Sequence, residues 1–532
     1  MAASQFKNIG IASLIMMFSV FLSRVIGLFR EMIIAYIGGA GGDVDAYQVA
    51  FVVPEILNHI LASGFLSVTF IPIFSKYLVS QNENEGWRVF SNILNIFGCL
   101  MLVLIALATG FTPYLIDLLA PGLADDPLLK QSAVRMTRII MPAQFFFFTG
   151  GLFSAVQFSK EKFVIPAFAP LIYNIGIIAG GVLLGPRMGM EGFAWGVLAG
   201  AFGGNFLLQW WGARKAGMVY RTWFNVFHPD LKTYIRLTLP LMLGLTMTFS
   251  TEILMKFFGS FLPRGNIAGL NYGIRVMYIL VGLFGQAVGV ASFPFMAKLA
   301  AENKIDQMND LLNRTLKLLS VVIPISVLFM VLRHEIVLVL FQRGKFDAEA
   351  TRITSQILAC LLVGTFAFSA QTIVVRGYYA VQNTLFPALF GTLAVMVSVP
   401  LYVGGMYLWG VLGIALAISF SVLFQTLLLF ATWSRKTANR GAASVYGFFV
   451  KIILLSIPLG LVLEWIKQYL STMVNTGSVS GCLFISMAMA LIFLAFIALA
   501  GYVFKLEEVL VVINRLISAV VRKNPFNRFM TK

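Results

Sequence analysis

Apolar runs of about 20 residues recur from one end of this chain to the other, and each is long enough to cross a ~30 Å hydrocarbon core as a helix. The pattern predicts about 14 spans, centred near residues 22, 61, 102, 145, 174, 201, 245, 281, 322, 364, 395, 421, 456 and 490. Helix breakers fall between them: Pro186 and Gly189 between the fifth and sixth, Pro263 and Gly265 between the seventh and eighth. No stretch between spans is long enough for a separate soluble domain. The fold class is therefore an all-α polytopic membrane protein.

Polar positions inside the apolar runs are few, and they fall in stripes. The first run, from Ile9 to Tyr36, contains SRVIGLFRE. Arg24, Gly27 and Glu31 lie at i, i+3 and i+7 and share one helical face, with Arg30 about 100° round from Glu31. Gln48, Glu55, His59 and Ser63 stripe the second span, and Asn271, Arg275, Tyr278, Gly282 and Gln286 the eighth. The seventh carries Thr248, Glu252 and Lys256 at i, i+4 and i+8. A charge at mid-bilayer costs roughly 2.5–3.5 kcal/mol on insertion scales, so such residues normally face an aqueous cavity or a partner. Simpler roles compete for some of them. Arg30 and Glu31 could snorkel at a span end, Glu252 and Lys256 could neutralise each other at i, i+4, and His59 could be a structural histidine. Arg24 and Arg275 are harder to explain this way, since each has long apolar flanks and no acidic residue within a turn. Cavity arginines suggest an anionic substrate, because the guanidinium fork suits phosphate or carboxylate oxygens.

Composition agrees with the pattern. The 532 residues are 59% hydrophobic and 11% charged, and mean hydropathy is +0.88. Soluble domains carry about 25% charged residues. The net charge of +17 does not indicate nucleic acid, because the basic residues cluster in alternate loops: Lys76, Lys160 and Lys162, Arg214 to Arg221, Lys298 and Lys304, Arg435 to Arg440, and the C-terminal tail. The APGLADDPLL and GGAGGDVD loops are poorer in them. That bias places both termini and the even-numbered loops in the cytoplasm. No separate cleavable signal pattern precedes the first span. Cys99, Cys360 and Cys482 all fall in apolar runs with no metal spacing or disulfide framework, which points to packing. There is no phosphate-binding glycine loop, and His334-Glu335 does not form a zinc motif. No enzyme activity, cofactor or metal is expected.

The chain also repeats itself. Pro72 and Lys76 recur as Pro294 and Lys298 at an offset of 222; Pro166-Ala167 recurs as Pro387-Ala388, and Gly189, Gly192 and Ala194 as Gly410, Gly413 and Ala415, at 221. Each copy holds six spans, an even number, so both enter the membrane in parallel orientation. Parallel repeats build two bundles around a central cavity that opens alternately to either side. The expected division is a six-helix bundle over 1–222, a second over 223–440, two extra helices over 441–504, and an amphipathic cytoplasmic tail over 505–532.

SRVIGLFRE with the following DVDAYQVAF, IPAFAPLIYN (Ile165 to Asn174) and LFQRGKF (Leu340 to Phe346) resemble the MurJ family of lipid II flippases, and the resemblance runs through all the spans. It implies a transporter that moves lipid II, or a similar polyprenyl-diphosphate glycolipid, across a bacterial inner membrane. It further implies that Arg24, Arg30 and Arg275 meet the substrate diphosphate. Asp45 resembles an acidic residue at the outer end of the second span, and the extra helices resemble a groove for the lipid tail. Membrane lipids and the cell-wall synthesis machinery are the other partners it implies. The sequence departs from the family where Asn58 and His59 replace an arginine pair, where Ser63 replaces a glutamate, and where Glu55 occupies a usually uncharged place. No acidic residue in the eleventh or twelfth span is available for a sodium site. The competing functions are a flippase for another polyprenyl-linked saccharide, a cation-coupled drug exporter and an assembly scaffold. Cavity arginines count against the exporter, which would need carboxylates for cationic substrates.

Overall fold

The computed structural model describes residues 2–61, 65–244, 246–474 and 476–503, and every regular element among them is helical. Ser63 and the expected tail helix over 505–532 lie outside the described residues, and so does the Thr248 side chain. The first span is α1 (Ala2–Gly38). The second is divided into α2 (Gly42–Ala50), α3 (Val52–Leu61) and α4 (Phe65–Val79). Pro54 sits in the first turn of α3, where a proline removes no helical hydrogen bond. Next come α5 (Glu83–Leu119), the pair α6 (Pro127–Ile140) and α7 (Ala143–Ser159), and α8 (Val164–Met188). The sixth span runs from α9 (Met190–Gly200) through a π-helical turn to α10 (Leu208–Lys215).

The seventh span is α11 (Pro229–Gly244) with α12 (Thr246–Gly259). The eighth is α13 (Asn266–Leu280) with α14 (Ala287–Ala301), again joined by a π-helical turn. Then follow α15 (Ile305–Leu319), α16 (Val322–Val331), the short α17 (Arg333–Phe341), α18 (Ala348–Leu362) and α19 (Thr365–Ala380). The long α20 (Leu385–Lys436) holds the eleventh and twelfth spans, divided where Gly410 turns to φ +56°. α21 (Ala442–Met473) and α22 (Val479–Val503) are the two extra helices. Among the described residues eight helical stretches are long and apolar enough to cross a membrane, or nine if α18 and α19, bent by 44°, make one span. The other expected spans are shorter pieces in series, two spans in one run, or, in α1, a span interrupted by three charges.

The repeat seen in the sequence has a backbone counterpart. Gly189 and Gly410 both adopt left-handed φ, +59° and +56°, at the tip of a helical hairpin. Only glycine enters that region without strain. The helices on the two sides of each tip also pack closely. A Cβ on Gly180 of α8 would lie 2.4 Å from Gly196 Cα of α9, and one on Gly405 would lie 2.6 Å from the Gly413 carbonyl oxygen. Small residues one turn apart let helix backbones meet where lipid offers no hydrophobic drive to press them together.

The chain folds into two compact units. The first comprises Met1–Tyr272, Phe341–Ala350 and Thr384–Ile414, and the second Gly273–Leu340, Thr351–Asn383 and the chain from Ala415 onward. In the second unit the extra helices α21 and α22 pack on α16 through Leu459, Leu463, Ile485, Met489 and Phe493 against Leu328, Val331 and Leu332. An ion pair also holds them: Lys467 of α21 lies 3.0 Å from the Glu335 carboxylate and donates to the Val331 carbonyl at 2.6 Å.

Candidate functional site

Three polar groupings are built into the first unit, and each begins on a helix that the charge pattern singles out. The first joins α1 and α8. Arg30 Nη1 donates to Asn174 Oδ1 at 3.0 Å and Nη2 to Glu31 Oε1 at 2.6 Å. The other Glu31 oxygen accepts from Asn271 Nδ2 at 3.4 Å. Asn174 is fixed in turn by donating to the Pro170 carbonyl at 2.9 Å. Glu31 is 3% exposed and the Arg30 side chain 19%, so this pair does not snorkel to a membrane surface. It is an internal ion pair with amides at both ends. Gly27, one turn earlier on α1, faces the same place: a Cβ there would meet Asn174 Oδ1 at 4.0 Å. Arg24, on the same stripe, is exposed.

The second grouping joins α2 to the start of α13. The buried carboxylate of Asp45, on the first turn of α2, accepts from the backbone amides of Gly265 and Ala268, the latter at 2.7 Å. It thus caps the start of α13, whose first amides lack helical partners and attract negative charge. Tyr272 is fully buried on α13 and donates to the Gly39 carbonyl at 2.9 Å. Its ring packs on Phe341 and Phe346, with centroids 5.0 and 5.5 Å away. The LFQRGKF segment therefore folds back onto the end of α1, where the Lys345 amide donates to the Tyr36 carbonyl at 3.0 Å. Gly39 (φ +72°) and Gly344 (φ +62°) make that close approach possible.

The third grouping lies between α3 and α12. Lys256 Nζ, 4% exposed, sits 3.2 Å from Glu55 Oε2. Lys256 thus reaches across to the second span, beyond the i, i+4 partner that the sequence offers. Glu55, Glu252 and Lys256 line one small cavity with Val52, Ile56 and Ile253. His59 Nδ1 donates to the Glu55 carbonyl one turn back at 2.5 Å. In the second unit Arg275 is half-buried on α13 among buried neighbours Ile274, Val276 and Met277.

Arg30, Glu31 and Asn271 are thus brought into one network, and Asp45 braces the helix that carries Asn271. Glu55 and His59 belong to a separate grouping one helix away. Sequence reasoning missed Asn174 and Tyr272 as site members and left Lys256 without its cross-helix partner. Asn174 closes the IPAFAPLIYN motif, and that was the one available signal. Nothing along the chain marks Tyr272 off from any other aromatic.

Serial apolar helices, a parallel repeat and ionised side chains held inside the spans define a polytopic membrane transporter. The family model described as lipid II flippase MurJ matches residues 34–503, and this chain belongs to that family. It is 27% identical over 458 residues to the lipid II flippase MurJ of Burkholderia cenocepacia, an alignment covering 84% of this chain and 87% of that one. A solved lipid II flippase MurJ in an inward closed conformation matches with a TM-score of 0.74 at 24% identity, over 91% of this chain and 98% of that one. The same fold extends to a Vibrio cholerae MATE transporter in its bent form, at a TM-score of 0.53 and 14% identity, covering 83% of this chain and 98% of that one.

Proposed function

We propose that this chain flips lipid II from the inner to the outer leaflet of the bacterial cytoplasmic membrane by alternating access. Family membership across residues 34–503 carries the substrate assignment. The Arg30–Glu31 network supports the mode of binding. Arg24 and Arg30 receive the diphosphate while the polyprenyl tail stays in lipid. In this structure the Glu31 carboxylate holds the Arg30 guanidinium. Diphosphate oxygens offer the same fork a second set of acceptors, so binding exchanges one anion for another and leaves no cation bare. Glu31 then turns to its other donor, Asn271.

Asp45 and Tyr272 close the outer end, and outward opening requires the Asp45 cap on α13 to part. Glu55, His59 and Lys256 serve the headgroup side of the cavity. The two six-helix halves, over 1–222 and 223–440, rock about this cavity with both termini cytoplasmic. No covalent chemistry is required. A membrane potential acting on the anionic headgroup supplies roughly 2.3 kcal/mol per charge per 100 mV.

The second-span departures, His59 and Glu55, favour one alternative substrate, another polyprenyl-diphosphate saccharide. Complementation decides between them. The gene should restore growth to a strain depleted of its own lipid II flippase, and growth should fail with Arg30→Ala. If the well-inserted wild-type chain fails to restore growth while lipid II accumulates in the inner leaflet, lipid II is not its substrate.

A further inference from the structure

Between α10 and α11 the chain runs through residues 216–228 without regular structure, yet its backbone is hydrogen-bonded to a neighbouring helix. The hydrogen bonds come from one face of α5. Asn92 donates to the Asn225 carbonyl at 2.8 Å and accepts from its amide at 2.6 Å. Asn95 donates to the Trp223 carbonyl at 3.1 Å, and Ser91 accepts from the Arg221 amide at 2.9 Å. Ser91 and Asn92 are 0% and 1% exposed. These buried side chains substitute for the missing sheet neighbour, and backbone groups that would otherwise need water are satisfied.

The consequence is a period-two alternation. Arg221, Trp223 and Asn225 turn inward, while Thr222, Phe224 and Val226 turn outward. Phe224, Val226 and Phe227 are 58, 67 and 94% exposed. Such an apolar edge on a rigid backbone is costly in water. The segment and its sequence flanks are basic. From Trp210 to Arg236 the chain has five cations, Arg214, Lys215, Arg221, Lys232 and Arg236, and one acid, Asp230. That acid is already engaged by the Tyr77 hydroxyl. Arg214 and Lys215 stand over the rings of Trp210 and Trp211, at 5.2 and 4.9 Å from their centroids. Exposed aromatics beside cations are the composition of a segment seated at the membrane–water interface.

We propose that the 216–228 linker is an anionic-phospholipid site: Phe224, Val226 and Phe227 enter the cytoplasmic headgroup layer, and Arg214, Lys215, Lys232 and Arg236 bind lipid phosphates beside them. Charge complementarity selects this occupant, since the cytoplasmic leaflet is the anionic one. The site is independent of the transported substrate.

The test uses the full chain with Cys99, Cys360 and Cys482 replaced by alanine and Val226→Cys carrying an environment-sensitive fluorophore. It is reconstituted in phosphatidylcholine vesicles with and without phosphatidylglycerol, each with headgroup-depth nitroxide lipids as quenchers. Lipid quenching should be stronger with phosphatidylglycerol. The variant Arg214→Gln/Lys215→Gln/Lys232→Gln/Arg236→Gln should lose that increment, with up to about fivefold weaker seating per cation removed at low salt. Should that variant fail to assemble, raising the salt on the parent protein must reduce the increment in the same way. Quenching by aqueous iodide alone, or equal lipid quenching in both vesicle types, overturns the proposal. So does shielding that appears only in native membranes, which would assign the edge to a protein partner.

Discussion

Arg30 carries two duties that a substitution can separate. Its guanidinium balances Glu31, which is 3% exposed, and in the proposed mechanism it receives the diphosphate. Arg30→Ala should therefore cut lipid II transport at least about tenfold, the loss of one charge-assisted hydrogen bond of ~1.5–3 kcal/mol. It should also lower thermal stability, because removing one partner of a buried pair costs about 3–5 kcal/mol. Adding Glu31→Gln should restore the melting temperature and leave transport low; recovery of both would make Arg30 a structural residue only. Arg30→Lys should recover part of the transport, since lysine lacks the bidentate fork. The Glu55–Lys256 pair offers a second test at this scale. Glu55→Leu alone removes the paired carboxylate of an ammonium that is 4% exposed, whereas Glu55→Leu with Lys256→Met removes both charges. The double variant should melt above the single, and additive losses in a double-mutant cycle would mean that the two groups do not interact.

Among the elements, α21 tells most about how an addition to a repeated fold is secured. Two ion pairs join it to the start of α17, and they differ in burial. Glu335 and Lys467 have side chains 2% and 11% exposed, while Arg333 and Glu464, 3.6 Å apart, are 35% and 34% exposed. Partial exposure screens the second pair to about 0–1 kcal/mol. Glu335→Ala should therefore lower the melting temperature of the detergent-solubilised protein clearly, and Arg333→Ala hardly at all; equal shifts would contradict the burial argument. The α8–α9 hairpin depends on a different device. Its glycines give contact distances that no side chain permits, so its packing is set by what is absent from the chain.

At the scale of the whole molecule, alternating access predicts changing solvent exposure on one stripe of α1. In a chain lacking its native cysteines, Gly27→Cys should react with an aqueous maleimide. The rate should change severalfold when lipid II is supplied or the membrane potential is collapsed. Complete inaccessibility in every condition would favour a packed core over a cavity. The position suits the purpose because a Cβ there meets nothing closer than the Asn174 amide oxygen at 4.0 Å, so the cysteine adds no clash.

The amino-acid sequence by itself determined the membrane class, the helical register and the repeat, because these rest on local periodicity and on the cost of placing backbone and charge in hydrocarbon. It also marked the ionised residues, since a charge inside an apolar run stands out whatever it touches. Which distant groups partner those charges was decided by tertiary structure. Glu31 and Arg30 are neighbours in sequence, but Asn174 and Asn271 come from 144 and 240 residues away, and Lys256 meets Glu55 across 201. A helix presents its stripe equally well to lipid, to water or to another helix, and only packing selects among the three. Hydropathy alone gave the second span but not the division between α2 and α3, whose one local sign is Pro54 in the first turn of α3.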